Sequence, residues 1–282
     1  MTRDEDRASD LRGQGADAVV CDVFDAEGLT AAMTEGRPDA VVHQLTALPK
    51  DMKMSRSSDP YPGTNRIRTE GTRNLIAAGR AAGARRIVAQ SIAFIYEPEG
   101  GAVKDEDAPV MSAPPKPFDS AMAATLDLER QVSEAEGMEG LVLRFGFFYG
   151  PDTYYASDGT MARMARKRQL PIVGDGSGMG SFVHIEDAAS ATVAAVERGA
   201  SGIYNVADDD PAPASEWTPA FCEAIGAPKP RRVPRWVAWL VAGPFATELA
   251  RLRGVSNEKA KRELAWTPKY PSWRQGFKEG LA

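Results

Sequence analysis

A chain of 282 residues with 43% apolar and 26% charged side chains is long enough to bury one sizeable core with a smaller one beside it. The formal net charge is −5 and the basic residues are scattered, so nothing supplies the electrostatic footprint that nucleic acid requires. The longest strongly apolar stretch, 237–242, is far shorter than the roughly 20 residues a membrane-spanning helix takes, and no membrane partner is expected.

The first residues, from Met1 to Arg7, are charged from the start, which a secretory signal does not allow; cytoplasm is the expected compartment. Cys21 and Cys222 form no metal-spaced pair and read as buried structural thiols. With His43 and His184 the only imidazoles, no metal site is expected.

Up to residue 199, short β-branched runs alternate with longer Ala-rich segments of helical period, the pattern of βαβ units around a parallel sheet. The runs 18–21, 40–44, 86–90 and 140–145 read as buried strands, because parallel strands are covered on both faces and need no alternation. The spacing predicts the longest helix over 64–82, with Ile67, Leu75, Ile76 and Ala77 on its apolar side and Gly83 as its stop. After Gly150-Pro151 the punctuation becomes denser, with loops at 171–180 and 208–213, a strand beginning at 181–185 and short helices through 234–250. The expected division is a first lobe at 1–150 and a smaller one at 151–282, some of whose segments return to the sheet. Trp236 and Trp239 stand at helical spacing and read as core, with a pocket wall as the alternative.

An α/β domain that binds a dinucleotide opens with a strand, a Gly-rich turn and a helix whose N-terminus faces the pyrophosphate. Here Thr2-Arg3, a charged helical segment and 18–21 read instead as the end of a second strand, a second helix and a third strand. The expectation is that the first strand, glycine turn and first helix, roughly 30 residues, are missing. Neighbouring strands would then show unpaired ladder groups and apolar faces. Gly13-Gln14-Gly15 reads as a helix stop and 174–180 as a turn; neither has the order or spacing of the phosphate-binding loop.

Seven segments carry a family resemblance: CDVFD at 21–25, VVHQLTALP at 41–49, TNRIRTEGTRNLIAAGRAAGARRIVAQS at 64–91, LRFGFFYGP at 143–151, SFVHIEDAA at 181–189, GIYNVADD at 202–209 and SNEKAKRELAWTPKYPSWRQGF at 256–277. In that order they resemble the extended short-chain dehydrogenase/reductases of the NAD(P)-dependent epimerase/dehydratase group, as an atypical member lacking the glycine-rich βα unit. The resemblance implies a Rossmann-like doubly wound parallel sheet, its first strand and helix missing, with a smaller C-terminal substrate lobe. It also implies NADP, or NAD, as cofactor if the missing segment is present, a small-molecule substrate, and by analogy a homodimer formed through 64–82 and 121–135.

Residue by residue, the resemblance puts Arg3 where a basic side chain favours the 2′-phosphate of NADP, a solvated surface arginine being the equal alternative. Asp22 and Val23 match adenine-side contacts, and Leu45, Thr46 and Ala47 match the loop lining the cofactor. The family's catalytic tyrosine and lysine positions are taken by Phe118 and Met122, and its Ser/Thr position by Ile92, with Ser91 one place off. None of the three replacements moves a proton. Tyr96 and Tyr149 are the remaining candidates for a proton donor, with packing the preferred reading of both. Phe147 and Gly180 stand where the group keeps an Asn and an Arg that grip a sugar nucleotide, so a more apolar ligand is expected: lipid-like, polyketide or aromatic. His184 reads as a capping and packing residue beside Asp187. Two functions follow, an NAD(P)-dependent oxidoreductase or epimerase/dehydratase-like enzyme, or a catalytically inactive binding or scaffold protein.

Overall fold

The computed structural model describes residues 1–49, 59 and 61–281; residues 50–58 and 60, in the first lobe, and 282, in the second, lie outside the described residues. Four strands form the central sheet in the order Ala40–His43, Arg86–Ile92, Glu139–Phe145 and Gly202–Val206. All pair in parallel, with Val42 opposite Val88, Val88 opposite Leu141 and Leu143 opposite Tyr204. Such strands need cover on both faces. One face packs Val88, Leu141 and Phe145 against Ala188, Ala191 and Ala195 of the Ile185–Glu197 helix. The other packs Ile87, Ala89 and Val142 against Leu75, Ala78, Leu128 and Val132. Gly140 permits the close approach of the Phe118–Ser133 helix, because a Cβ there would strike the Val132 carbonyl.

The expected helix over 64–82 is one continuous rod with an irregular middle. Pro62–Arg66 is α-helical, Ile67–Gly71 is a π turn, and Thr72–Ala81 is α-helical again. Pro62 extends the start because the missing N–H of a first-turn proline costs nothing there. The stop falls at Gly83, with φ of 83°. The expected strand at 18–21 shrinks to one parallel bridge between Thr2 and Val20. Thr2 offers a single residue before helix Glu5–Gly13 begins, so no ladder extends from it. This bridge does not join the four-stranded sheet, and among the described residues no strand covers the outer edge of Ala40–His43. Val19 and Val20 are each 44% exposed and Val42 is 43% exposed, as unpaired neighbours should be.

A second, aromatic core lies beyond the sheet. Tyr149, Tyr155, Phe182, Phe221, Trp273 and Phe277 pack together, around the short parallel pair Phe147–Tyr149 and Phe182–His184. The core reading of the tryptophans is overturned: Trp236 is 66% and Trp239 51% exposed. Helix Arg235–Ala242, eight residues bounded by Pro234 and Gly243, leaves both rings largely in solvent. Cys222 is buried as expected, whereas Cys21 is half-buried; both are free thiols.

Inside the first core lies an ion pair. Arg144 donates from Nε (2.9 Å) and Nη2 (2.6 Å) to Glu129, and both side chains are 5% exposed or less. Burial works against the guanidinium charge, but the bonds to Glu129 outweigh it and raise the Arg144 pKa above its ordinary value. Glu129→Ala leaves that cation buried and unpaired, and is expected to lower the unfolding free energy by about 3–5 kcal/mol in urea denaturation. Arg130→Ala on the solvent side of the same helix should leave the midpoint where it is; equal midpoints for the two variants would show that the buried pair braces nothing.

Candidate functional site

The C-terminal ends of the parallel strands open on one side of the sheet, where open α/β folds bind ligands. At one margin stand Arg3 and Asp22, with Nη1 and Oδ2 3.9 Å apart and both largely solvated. Asp22 Oδ1 also accepts the Phe24 N–H at 3.0 Å. The Val23 side chain is buried in the core, and its carbonyl takes the Asn74 amide at 2.9 Å.

Leu45 follows the first sheet strand and leads into exposed Thr46 and Ala47. Two side chains fix this loop. His43 Nδ1 accepts the Leu45 N–H at 3.3 Å, its Nε2 bonds Thr72 Oγ1 at 3.1 Å, and Thr64 Oγ1 accepts the Ala47 N–H at 3.1 Å. Burial above all, then the positive charge of Arg68, pushes the His43 pKa down to about 4. The imidazole is therefore neutral at pH 7, as an acceptor at Nδ1 must be.

The centre of the site is apolar. Phe118 and Met122 are buried with Ile95, Met111 and Ala121, and Ile92, Phe94 and Tyr61 pack against them. Polar groups close by are engaged with each other. Ser91 is fully buried and its hydroxyl donates to Glu129 Oε1 at 2.5 Å. Arg144 Nη1 donates to Tyr96 Oη at 2.9 Å, and the Tyr96 hydroxyl donates to Asn205 Oδ1 at 2.7 Å. Burial raises the Tyr96 pKa, with the Arg144 charge opposing it less strongly. Tyr149 lies apart in the aromatic core, fully buried, with no hydrogen-bond partner for its hydroxyl among the described residues. Burial, then the charge of Asp208, holds that phenol far above its ordinary pKa. Ser91 and Tyr96 thus share one network, and Tyr149 does not belong to it.

Sequence reasoning passed over Glu129, Arg144, Asn205 and Arg68. The signal for the first three was an arginine in the apolar run Leu141-Val142-Leu143-Arg144-Phe145, since a charge inside a sheet needs a partner. Arg68 sits on the π turn, a distortion often found at functional sites. Arg66 and Glu70 pair at 2.7 Å across one helical turn. Arg68, two residues from each, points away from them and donates Nη1 to Thr125 Oγ1 at 2.8 Å. Among the described residues it has no other hydrogen bond and no carboxylate within ion-pair distance. Burial lowers its pKa, opposed by the charge of Glu129.

On the opposite margin, Phe94 and Phe147 stack with centroids 4.8 Å apart and planes 12° apart. They line a small half-open cleft with Gly146, Met179, Ser181 and Arg253. Gly180 packs under Trp217 and Phe182, where no side chain fits. His184 is structural in position: its Nδ1 accepts the Glu186 N–H at 3.2 Å, capping helix Ile185–Glu197, and Nε2 meets the Gly280 carbonyl at 3.0 Å. Asp187 does not cap that helix; its carboxylate takes the backbone N–H groups of Lys269 and Tyr270 at 2.6 and 2.9 Å.

A parallel sheet wound by helices on both faces, with loops following its strands at one end, defines a Rossmann-like fold. Residues 1–207 match the family model described as the NAD dependent epimerase/dehydratase family, and the chain belongs to that family. It is 45% identical over 281 residues to a 3-diazoavenalumate denitrifying reductase of a Streptomyces species, covering 98% of this chain and 90% of that protein. It is 25% identical over 276 residues to a UDP-glucose 4-epimerase of Azospirillum brasilense, covering 88% and 74% of the two chains. Among solved structures, a dTDP-glucose 4,6-dehydratase from Streptomyces venezuelae superposes with a TM-score of 0.74 at 20% identity, covering 98% of this chain and 82% of that one. The UDP-glucose 4-epimerase of Thermus thermophilus, solved in complex with NAD, gives 0.66 at 25% identity over 93% and 82%.

Because the folded pKa of His43 is depressed, its neutral form stabilises the fold above the ordinary value of 6.5. That contribution is lost as pH falls from there through about 4. The two histidines give two imidazole Cε1–H signals by NMR, and the one lost in His43→Gln should not shift until pH nears 4, when the Leu45 amide should move with it. A midpoint near 6.5 would mean that the ring is solvated and holds no loop.

Proposed function

We propose that this protein is an NADPH-dependent reductase that strips nitrogen from an aromatic diazonium acid. The observation that carries the reading is the 45% identity, end to end, to a reductase whose name states a diazo acid and the removal of its nitrogen. The apolar centre of the site supports it. A carbonyl needs a proton as it takes up a hydride, and a phenol supplies one at neutral pH only beside a cation. Phe118 and Met122 offer neither, the Tyr96 and Ser91 hydroxyls are spent inside the protein, and burial raises the pKa of Tyr61, the phenol packed beside Phe118 and Met122, against the smaller effect of the Arg68 charge.

An aryl diazonium has no such need, because it carries its positive charge already. NADPH, when bound, supplies a hydride that turns the aryl diazonium into an aryl diazene, which loses dinitrogen to leave the arene and NADP⁺ with no net proton taken or released. Phe118, Met122, Ile92 and Ile95 exclude water, which would otherwise replace the nitrogen and give a phenol.

The residues fit the cofactor at two places. Arg3, in a long and solvated contact with Asp22, is free to turn to a 2′-phosphate. Asp22, the backbone at Val23 and the Leu45–Thr46–Ala47 loop would line the adenosine side and middle, Ser91 would contribute backbone only, and Arg68 has spare donors for the ribose side. The cradle for the pyrophosphate is not among the described residues.

The test is anaerobic incubation of the protein with NADPH and an aryldiazonium carboxylate, following nicotinamide absorbance and dinitrogen by mass spectrometry. One NADP⁺ per dinitrogen with the arene as product is expected, faster with NADPH than with NADH, and Phe118→Tyr should leave the rate within about threefold because no proton donor is called for. NADPH consumed with ketones or aldehydes and not with the diazonium would sink the reading. No consumption with any of them, by a chain that still binds a ligand, would favour the inactive binding protein.

A further inference from the structure

Helix Arg235–Ala242 is amphipathic in the reverse sense to a core helix. The small Ala238 is buried, while Trp236, Trp239 and Leu240, three and four residues apart on one side, and Val241 near the end are exposed. Basic side chains that lie far apart in sequence gather beside it. Ile172–Val173 pairs in parallel with Arg232–Val233, and Arg168 Nη1 donates to the Lys229 carbonyl at 3.4 Å. Those contacts join segments 166–175 and 229–235, which together carry seven lysines and arginines and one acid, in a chain whose net charge is −5. The acid, Asp175, stands 3.6 Å from Arg235 in an exposed pair. Lys229 and Arg231 are exposed and make no ion pair among the described residues.

From this juxtaposition we infer that the face is a docking surface for an anionic lipid bilayer, on which Arg235–Ala242 lies flat with its indoles and Leu240 at the depth of the headgroups. Indole rings favour that depth, being apolar with one N–H donor, and the cations around them meet lipid phosphates. Among the described residues no helix is long and apolar enough to cross a membrane, but a helix that lies along the surface needs no such length. The expectation of no membrane partner rested on spanning length alone. Charge favours lipid over a second copy of the chain, because a two-fold contact would bring the same positive excess face to face. Size argues the same way: eight helical residues are about 12 Å long, whereas a stable protein interface takes roughly 800 Å² from each side. A nucleic acid would use the cations and stack on the indoles, but would leave Leu240 and Val241 in water. Docking of this kind is independent of the reaction proposed above.

The experiment is co-flotation of the full chain with vesicles, of phosphatidylcholine alone or with about one third phosphatidylglycerol, alongside tryptophan fluorescence. Binding to the anionic vesicles is expected to be roughly tenfold or more tighter than to the neutral ones, with a blue shift of the emission, and to weaken as salt rises from about 0.05 to about 0.3 M. Trp236→Gln/Trp239→Gln should weaken it roughly tenfold or more and abolish the shift. Lys229→Gln/Arg231→Gln should weaken binding to the anionic vesicles by roughly 10- to 30-fold and leave the neutral ones unchanged. Unchanged thermal midpoints separate lost docking from lost folding, and the second variant decides should the first fail to fold. No binding to either vesicle, equal binding to both, or binding that the folded variants leave intact would overturn the assignment. A dimer that Trp236→Gln/Trp239→Gln dissociates would give the face to a second copy instead, and duplex DNA held more tightly than the anionic vesicles would give it to nucleic acid.

Discussion

A guanidinium in the middle of a parallel sheet cannot reach water, and Arg144 obliges everything around it to become its partner. It lies on a strand paired on both sides, facing the Phe118–Ser133 helix. Glu129 neutralises it, Ser91 supplies a third contact to the Glu129 carboxylate, Tyr96 accepts from Nη1, and Asn205 takes the Tyr96 proton. Glu106 closes the far end by accepting the Asn205 N–H at 2.7 Å. The chain of bonds ties a helix, three strands and a loop at the end of the sheet where ligands enter. Such a network is costly to break, although Asn205 Nδ2 is left buried without a partner among the described residues.

That economy has a chemical consequence. The hydroxyls of Ser91 and Tyr96, at the end of the second sheet strand, which a dehydrogenase would offer for proton transfer, are consumed as structural donors and acceptors. What remains around Phe118 and Met122 is a packed apolar cluster in which Tyr61 carries the phenol. Such an apolar lining is poorly suited to a neutral carbonyl, whose developing oxyanion needs preorganised donors. It suits a substrate that brings its own electrophilic charge and is destroyed by water. Losing the usual acid/base pair is then compatible with reduction, provided the electrophile does the work the phenol otherwise does.

The sheet strands at 40–44, 86–90 and 140–145 were legible because burial on both faces forces continuous apolar runs, and the observed strands differ from them by one or two residues. The run 18–21 met the same composition test, but its only partner is Thr2, and pairing needs a partner that composition does not reveal. The π turn was invisible because Ile67, Leu75 and Ile76 keep nearly helical spacing through it. Trp236 and Trp239 misled because periodicity reports which side chains share a face and not whether anything lies opposite that face. At the site, resemblance located Phe118, Met122 and Phe147, and the geometry gathers all three near one end of the sheet. The partners of Arg144 and the spare donors of Arg68 depend on which side chains meet across elements, which no local pattern encodes.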